Sequence, residues 1–204
     1  MLSRFFRRWS PRLLRPVIRV MMRAGITPNQ ATLTGLLLAM AAGVLIASGL
    51  LLAAALVLIL SGLLDALDGE LARQLKAATP YGAFLDSIAD HYGDFAVYLG
   101  IAWITLHSGD HVTVLLVIVA MFGSLVGSHI RSRAGMMGLD TLNVGFFTRA
   151  ERIIVFVLGL LTDLLTPAVA ILALAHNISA LQRLGYAATR AQSSPHSHEE
   201  SVGR

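Results

Sequence analysis

The chain has 204 residues, of which 55% are hydrophobic and only 14% are charged, and its mean hydropathy is +0.69. Because a soluble domain carries charge on roughly a quarter of its residues, this composition excludes an ordinary soluble domain and indicates an all-α, polytopic membrane protein. The absence of cysteine excludes disulfides and thiolate sites. The net charge of +4 fits loops beside anionic lipid rather than a partner nucleic acid.

The first 26 residues interleave seven arginines with apolar residues. A signal peptide needs an uninterrupted apolar core, so this pattern instead predicts an amphipathic helix lying in the membrane surface. The alternative is a segment that only sets the orientation of the chain. At the other end, residues 189–204 are polar and are predicted to form a disordered cytoplasmic tail.

Between these ends, residues 27–188 are predicted to form one catalytic domain of six transmembrane helices. About 20 apolar residues cross the hydrocarbon core of a membrane. The predicted spans are 29–49, 51–76, 81–106, 112–133, 148–165 and 167–186.

All sixteen lysines and arginines lie in the two terminal segments, in the second-to-third and fourth-to-fifth connections, or at the span ends next to them. Because such residues are retained in the cytoplasm, both termini and these connections are predicted to face it, in a multi-pass inner-membrane protein.

Five of the twelve acidic residues lie at the inner ends of the second and third predicted spans: Asp65, Asp68, Asp86, Asp90 and Asp94. A carboxylate in the membrane is costly unless it is paired, hydrated or bound to metal. The spacing places Asp65 with Asp68 on one helix face and Asp86 with Asp90 on another. A short turn would make the two helices antiparallel neighbours, so four carboxylates can converge. Four hard oxygen ligands suit two Mg²⁺ or Mn²⁺ ions, and such a centre binds phosphate esters.

Residues Asp65 to Asp90 contain the pattern DxxDGxxARx₈GxxxDxxxD. This pattern resembles the signature of the CDP-alcohol phosphatidyltransferases at every fixed position. The resemblance implies a transferase of phospholipid biosynthesis that moves a phosphatidyl group from CDP-diacylglycerol to a small alcohol and releases CMP. It also implies a homodimer among membrane lipids, two divalent ions held by the four aspartates, and Asp90 as the base that accepts the alcohol proton.

The same resemblance implies a binding site for the CDP-linked lipid. Arg73 would bind the diphosphate or order the carboxylates, and a structural ion pair with Glu70 is the alternative. Small residues let a bulky headgroup approach the backbone. For Asn29 the alternative is a helix cap without a binding role. The predicted set is Asn29, Gln30, Ala31, Thr32, Gly69, Ala72, Arg73, Thr79 and Gly82.

The cytoplasmic ends of the last three spans carry more arginines than orientation requires, which predicts an acceptor that bears a phosphate. This region resembles the phosphatidylinositol phosphate and archaetidylinositol phosphate synthases. The chain has Gly135 where that branch usually has Glu, and Thr-Arg-Ala-Glu-Arg at 148–152 where it has Glu-Arg-Pro-Glu-Arg. Glycerol 3-phosphate therefore stays an alternative acceptor to inositol phosphate. The implied acceptor-phosphate-binding residues are Ser128, Arg131, Arg149, Arg152 and Arg183.

Intramembrane carboxylates also mark the pathways of ion-coupled transporters. A transporter would favour acids distributed through the membrane depth and an internal repeat, and this sequence has neither. His91 and His129 have no partner at ligand spacing, so we expect each to pack against the site or to support it from outside rather than to act as a catalyst. Asp94, one turn beyond Asp90, is expected to support the site from outside.

Overall fold

The structure is a computed structural model that describes residues 15–139, 144–145 and 147–192. Every regular element within these ranges is an α-helix. Residues 1–14 of the predicted surface segment and residues 193–204 of the predicted tail lie outside the described residues. The helices are α1 (15–23), α2 (Pro28–Ala47), α3 (Leu51–Gln74), α4 (Pro80–His107), α5 (His111–Met136), α6 (Arg149–Thr162) and α7 (Leu165–Gln192).

Threonine caps begin the helices that carry the candidate site. The Thr27 side chain accepts a hydrogen bond from the Gln30 backbone N–H, and the Gln30 side chain accepts one from the Thr27 N–H. Proline at 28 then occupies the first helical turn, where it loses no backbone hydrogen bond. The alternative that Asn29 caps this helix is therefore wrong. The Thr79 hydroxyl caps α4 in the same way, by accepting from the Gly82 N–H at 3.0 Å.

Helix α2 packs against both α3 and α4, whereas α3 and α4 are not among the closely packed pairs of described helices. The expectation that these two would be direct neighbours is thus wrong. Small residues on α2 explain the arrangement: a Cβ added at Gly43 would overlap the Ala96 carbonyl of α4, and one at Gly35 would lie 3.6 Å from the Ser61 carbonyl of α3. Helix α2 therefore separates most of α3 from α4.

The remaining helices complete a bundle: α4 packs on α5, α5 on α7, α3 on α6 and α6 on α7. Glycines also set the α5–α7 distance, since a Cβ added at Gly123 would lie 2.5 Å from Nδ2 of Asn177. The buried core contains Ile46, Tyr98, Phe156 and Leu172. Large apolar side chains are exposed on the outside, as expected for a surface in contact with lipid rather than water.

Four described helices are long and apolar enough to cross a membrane: α2, α3, α5 and residues Leu165–Arg190 of α7. Helix α4 has 28 residues but carries three aspartates among its first 15 residues. Helix α6 has only 14 residues, about 21 Å at 1.5 Å per residue, against a hydrocarbon core of about 30 Å. Six spans therefore stay a prediction. Helix α7 continues to Gln192, past the predicted domain boundary at residue 188.

Candidate functional site

Three aspartates from two helices meet at one point. Asp65 and Asp68 of α3 and Asp86 of α4 each offer one carboxylate oxygen, and these three oxygens lie within 4.8 Å of one another. Asp90, one turn further along α4, joins them around a small cavity of about 10 Å³, here called the aspartate cavity. The predicted convergence of the carboxylates is therefore present, although α3 and α4 do not pack along their length. The aspartate side chains of α3 and α4 meet beyond the part of the two helices that α2 separates.

Thr32 of α2 holds one of these carboxylates. Its hydroxyl donates to Oδ2 of Asp68 at 2.7 Å, and both side chains are buried. This contact joins residues that are 36 positions apart in the chain. Thr32 was predicted to bind the CDP-linked lipid, and the structure places its hydroxyl against the aspartate cluster.

The aspartate cluster fits divalent metal ions. Its donors are hard, anionic oxygens, which Mg²⁺ and Mn²⁺ prefer. Oδ1 of Asp86 is buried, and no group in the described part of the chain donates a hydrogen bond to it. A buried carboxylate oxygen needs a compensating partner, and a cation held by Asp65, Asp68 and Asp86 would provide one.

Arg149, the first residue of α6, reaches into the same cluster. Its guanidinium contacts Asp65, and its Nη1 lies 2.5 Å from Oδ1 of Asp90 and 4.0 Å from Oδ1 of Asp86. Arg149 was predicted to bind the acceptor phosphate. The structure pairs its guanidinium with the carboxylates and places it at the border between the aspartate cavity and a second, larger cavity.

The larger cavity has a volume of about 190 Å³ and lies between α4, α5, α6 and α7. We call it the large cavity. All five residues predicted to bind the acceptor phosphate line it, together with the predicted base Asp90. These five are Ser128, Arg131, Arg149, Arg152 and Arg183.

Two of its arginines are held in place by other groups of the protein. Nη1 of Arg152 lies 2.7 Å from Oδ2 of Asp94, and both side chains are mostly buried. Arg183 donates from Nε to the Val144 carbonyl and from Nη1 to the Gly127 carbonyl, each at 3.1 Å. These contacts fix the direction of both guanidinium groups before any ligand binds. Asp94 thus supports the site through Arg152, as its position one turn beyond Asp90 suggested.

Sequence reasoning missed two polar residues of α7, His176 and Ser179, that also line the large cavity. Their signal in the sequence was present, because polar side chains in an apolar transmembrane helix usually face the protein interior. His91 lines the cavity as well, and its Nδ1 lies 2.6 Å from the Ser87 carbonyl oxygen.

The residues predicted to bind the CDP-linked lipid divide into two groups. At the starts of α2 and α4, a Cβ added at Gly82 would lie 3.2 Å from Oγ1 of Thr79 and 3.4 Å from Oδ1 of Asn29, so these three residues adjoin. A Cβ added at Gly69 would meet nothing within 4 Å, which leaves room beside Asp68 for a headgroup.

The side chains of the second group, Arg73, Gln30 and Ala31, contact other residues of the protein. Arg73 forms an ion pair with Glu70 at 2.7 Å while two-thirds of its side chain is exposed. The Gln30 side chain belongs to the cap of α2, and Ala31 is buried in a small apolar cluster with Ile18 and Leu71. The ion pair proposed as the alternative for Arg73 is therefore present.

Comparisons with known proteins identify one enzyme family. The family model described as CDP-alcohol phosphatidyltransferase matches residues 25–181. The archaetidylinositol phosphate synthase of Methanothermobacter thermautotrophicus is 36% identical over 156 residues, which cover 74% of this chain and 77% of that protein.

Two crystal structures of the phosphatidylinositol phosphate synthase of Mycobacterium tuberculosis are similar at 33% identity. The structure with CDP-DAG bound has a TM-score of 0.79 and covers 87% of this chain and 94% of its own. The structure in complex with manganese and citrate has a TM-score of 0.78 and covers 85% and 88%.

Proposed function

The chain belongs to the CDP-alcohol phosphatidyltransferase family, and we propose that it transfers the phosphatidyl group to inositol phosphate. The enzyme takes this group from a CDP-linked lipid, releases CMP and uses divalent metal ions. One observation carries the choice of acceptor: Asp90, Ser128 and four arginines line a single cavity. The names of the relatives support it, since they are synthases of phosphatidylinositol phosphate and archaetidylinositol phosphate.

In the proposed reaction, an oxygen of the acceptor alcohol forms a bond to the phosphorus that carries the lipid. The bond between this phosphorus and the oxygen of CMP breaks, and CMP leaves with that electron pair. Asp90 takes the proton from the acceptor hydroxyl as it attacks. Because Asp90 lines both the aspartate cavity and the large cavity, its carboxylate lies between the proposed donor and acceptor sites.

Asp65, Asp68, Asp86 and Asp90 would hold the metal ions, which supply charge neutralisation for the diphosphate when bound. Thr32 orients Asp68 through its hydrogen bond. Asn29, Thr79, Gly69 and Gly82 would contact the CDP-linked lipid at the neighbouring ends of α2, α3 and α4.

The arginines of the large cavity would bind the phosphate of the acceptor. A guanidinium offers paired N–H donors that match phosphate oxygens. Arg152 and Arg183 are already oriented by Asp94 and by backbone carbonyls, so less side-chain entropy is lost on binding. Arg149, which lies between the two cavities, would contribute to both phosphate groups.

We extend the proposal to the layout in the membrane: six spans, a surface helix at the start and the active site on the cytoplasmic side of the inner membrane. The connections 48–50, 108–110 and 163–164 contain no lysine or arginine, whereas the ends of the helices that surround the site are basic. In α1, Ile18 and Met21 are buried, while Arg15, Arg19 and Arg23 are exposed. This pattern supports a helix lying in the interface. A homodimer is part of the same proposal.

An acceptor panel tests the proposed function. Purified enzyme with Mg²⁺ and CDP-diacylglycerol is assayed for CMP release with inositol phosphate, inositol, glycerol 3-phosphate and serine. We expect the highest kcat/KM with inositol phosphate, and we expect Arg183→Ala to lower it at least tenfold because a charged hydrogen bond to the phosphate is lost. A higher kcat/KM with glycerol 3-phosphate would replace the proposed acceptor.

A further inference from the structure

Two buried polar groups on α7 have no role in the reaction described so far. Ser179 is 3% exposed and His176 is 8% exposed, and both line the large cavity. The following inference rests on the proposed function and concerns the part of the acceptor that carries no phosphate.

The hydroxyl of Ser179 has no hydrogen-bond partner among the described residues. Its Oγ is buried and forms no hydrogen bond within the described part of the chain. Hydroxyls in helices commonly donate to the carbonyl four residues earlier, as Thr105 and Thr162 do here. Since an unpaired buried hydroxyl is unfavourable, a ligand hydroxyl in the cavity is the partner that this geometry provides for.

His176 is fixed in one tautomer by its surroundings. Its Nδ1 lies 3.2 Å from the Ala120 carbonyl oxygen, which can only accept, so Nδ1 carries the proton. In the neutral imidazole Nε2 is then a hydrogen-bond acceptor. Phe147 packs edge-on against the ring at 5.5 Å between centroids, and the Tyr98 hydroxyl lies 3.4 Å from Nδ1. These contacts hold the ring in place.

The large cavity therefore combines two kinds of recognition. Its arginines suit a phosphate, whereas the Ser179 hydroxyl and the His176 imidazole are neutral groups that suit hydroxyls. We propose that His176 and Ser179 bind hydroxyls of the acceptor that do not react, and that they thereby select a polyol phosphate such as inositol phosphate. Inositol phosphate keeps four free hydroxyls after the reacting one is counted, whereas glycerol 3-phosphate keeps one.

Ser179→Ala in the full-length enzyme, loaded with Mg²⁺, tests this selection. We expect the KM for inositol phosphate to rise about five- to tenfold, which corresponds to the loss of one neutral hydrogen bond. The KM for CDP-diacylglycerol and the inhibition constant of inorganic phosphate should change less than twofold, because the arginines are intact. His176→Phe, which keeps the planar ring without its nitrogens, should raise the same KM.

Ser61→Ala is the matched control. Ser61 is also a buried serine in an apolar helix, but its hydroxyl donates to the Gly35 carbonyl at 2.8 Å and it does not line the large cavity. This variant should lose thermal stability and keep the wild-type KM for inositol phosphate. Thermal unfolding of each variant, with and without inositol phosphate, gives a binding readout that does not depend on turnover.

An unchanged KM for inositol phosphate in Ser179→Ala would overturn the inference. Equal weakening of inositol phosphate and of inorganic phosphate would also overturn it, because that result indicates a distorted cavity. If His176→Phe does not fold, the KM of Ser179→Ala for inositol phosphate tests the inference without it. Failure of the proposed function is a separate result, in which the wild-type enzyme itself does not use inositol phosphate.

Discussion

Asp90 and Arg149 each line both the aspartate cavity and the large cavity. At the scale of single residues, these two side chains connect the proposed metal and lipid site with the proposed acceptor site. Their charges are opposite, and Nη1 of Arg149 lies 2.5 Å from Oδ1 of Asp90. The arginine thus places a positive charge directly beside the proposed base.

Asp90→Asn removes the base and keeps the side-chain volume. We expect metal-dependent CMP release to fall by about 10²–10⁴-fold, the usual contribution of a general base. Binding of Mn²⁺, measured by electron paramagnetic resonance, should weaken much less because Asp65, Asp68 and Asp86 are intact.

Asp163→Asn is the control for this variant. Asp163 ends α6 at the opposite end of the bundle, in a left-handed conformation that asparagine also tolerates. It should keep wild-type activity. Undiminished CMP release by Asp90→Asn would rule out Asp90 as the base.

At the scale of helices, α2 determines how far α3 lies from α4. The backbones of α2 and α4 meet at glycines, since a Cβ added at Gly100 would overlap the Gly43 carbonyl. Asn29 and Thr32 of α2 therefore keep fixed positions relative to Asp86 of α4. The site depends on this close approach although both glycines lie outside it.

Gly100→Ala should therefore destabilise the protein by about 1–3 kcal/mol, the usual cost of overpacking a core. Gly185→Ala is the matched control, because a Cβ at Gly185 would meet nothing within 4 Å and alanine favours a helix over glycine. Thermal unfolding in detergent measures both variants. Equal stability of the two would show that the α2–α4 contact adapts to a larger residue.

A second element-scale feature joins α5 and α7 at the end opposite the site. Asp110 caps α5 by accepting hydrogen bonds from the Thr113 N–H at 3.1 Å and hydroxyl at 2.5 Å, and it accepts another from the Thr166 hydroxyl at 2.9 Å. These hydrogen bonds, chiefly that from the Thr113 side chain, lower the pKa of Asp110 below its ordinary value of 3.8. The ionised carboxylate is therefore the form that stabilises the fold.

Because the folded-state pKa is lowered, this stabilisation is complete above the unfolded-state pKa near 4 and is lost as the pH falls through the folded-state pKa. We expect Asp110→Asn to lower the melting temperature at pH 7, and the difference from wild type to shrink below pH 4. Melting curves of both proteins between pH 3 and 7 measure this. A difference that is constant over the whole range would contradict a role for the charge.

At the scale of the whole molecule, charge and topology divide the bundle into two ends. The site and its arginines lie at the end that contains the starts of α2, α4 and α6 and the ends of α3, α5 and α7. The opposite connections contain no lysine or arginine. The proposed orientation follows from this asymmetry.

Single cysteines can report this orientation without background, because the chain has none of its own. Ser108→Cys and Ala77→Cys place a thiol at exposed positions in connections at opposite ends of the bundle. We expect a membrane-impermeant maleimide to label Ser108→Cys in intact bacterial cells, and Ala77→Cys only after permeabilisation. The reverse pattern would place the active site outside the cytoplasm.

Much of the site was predictable because its carboxylates all lie within residues 65–90 of the sequence. Asp65 and Asp68, three residues apart on one helix, must share a face, and a short connection brings Asp86 of the next helix within reach. The alternative that Asn29 caps α2 was wrong because Thr27, Asn29 and Gln30 are all polar, and only the backbone geometry shows that Thr27 is the cap.

The sequence by itself determined the helical class, the metal-binding chemistry and the asymmetry of charge, because hydrophobic length, residue type and helical period act over a few turns. Only the tertiary structure decided that Thr32 orients Asp68, that Arg149 lies among the carboxylates, and that His176 and Ser179 share a cavity with the arginines. These contacts join residues tens of positions apart, and their partners are set by how closely the glycine faces of neighbouring helices pack.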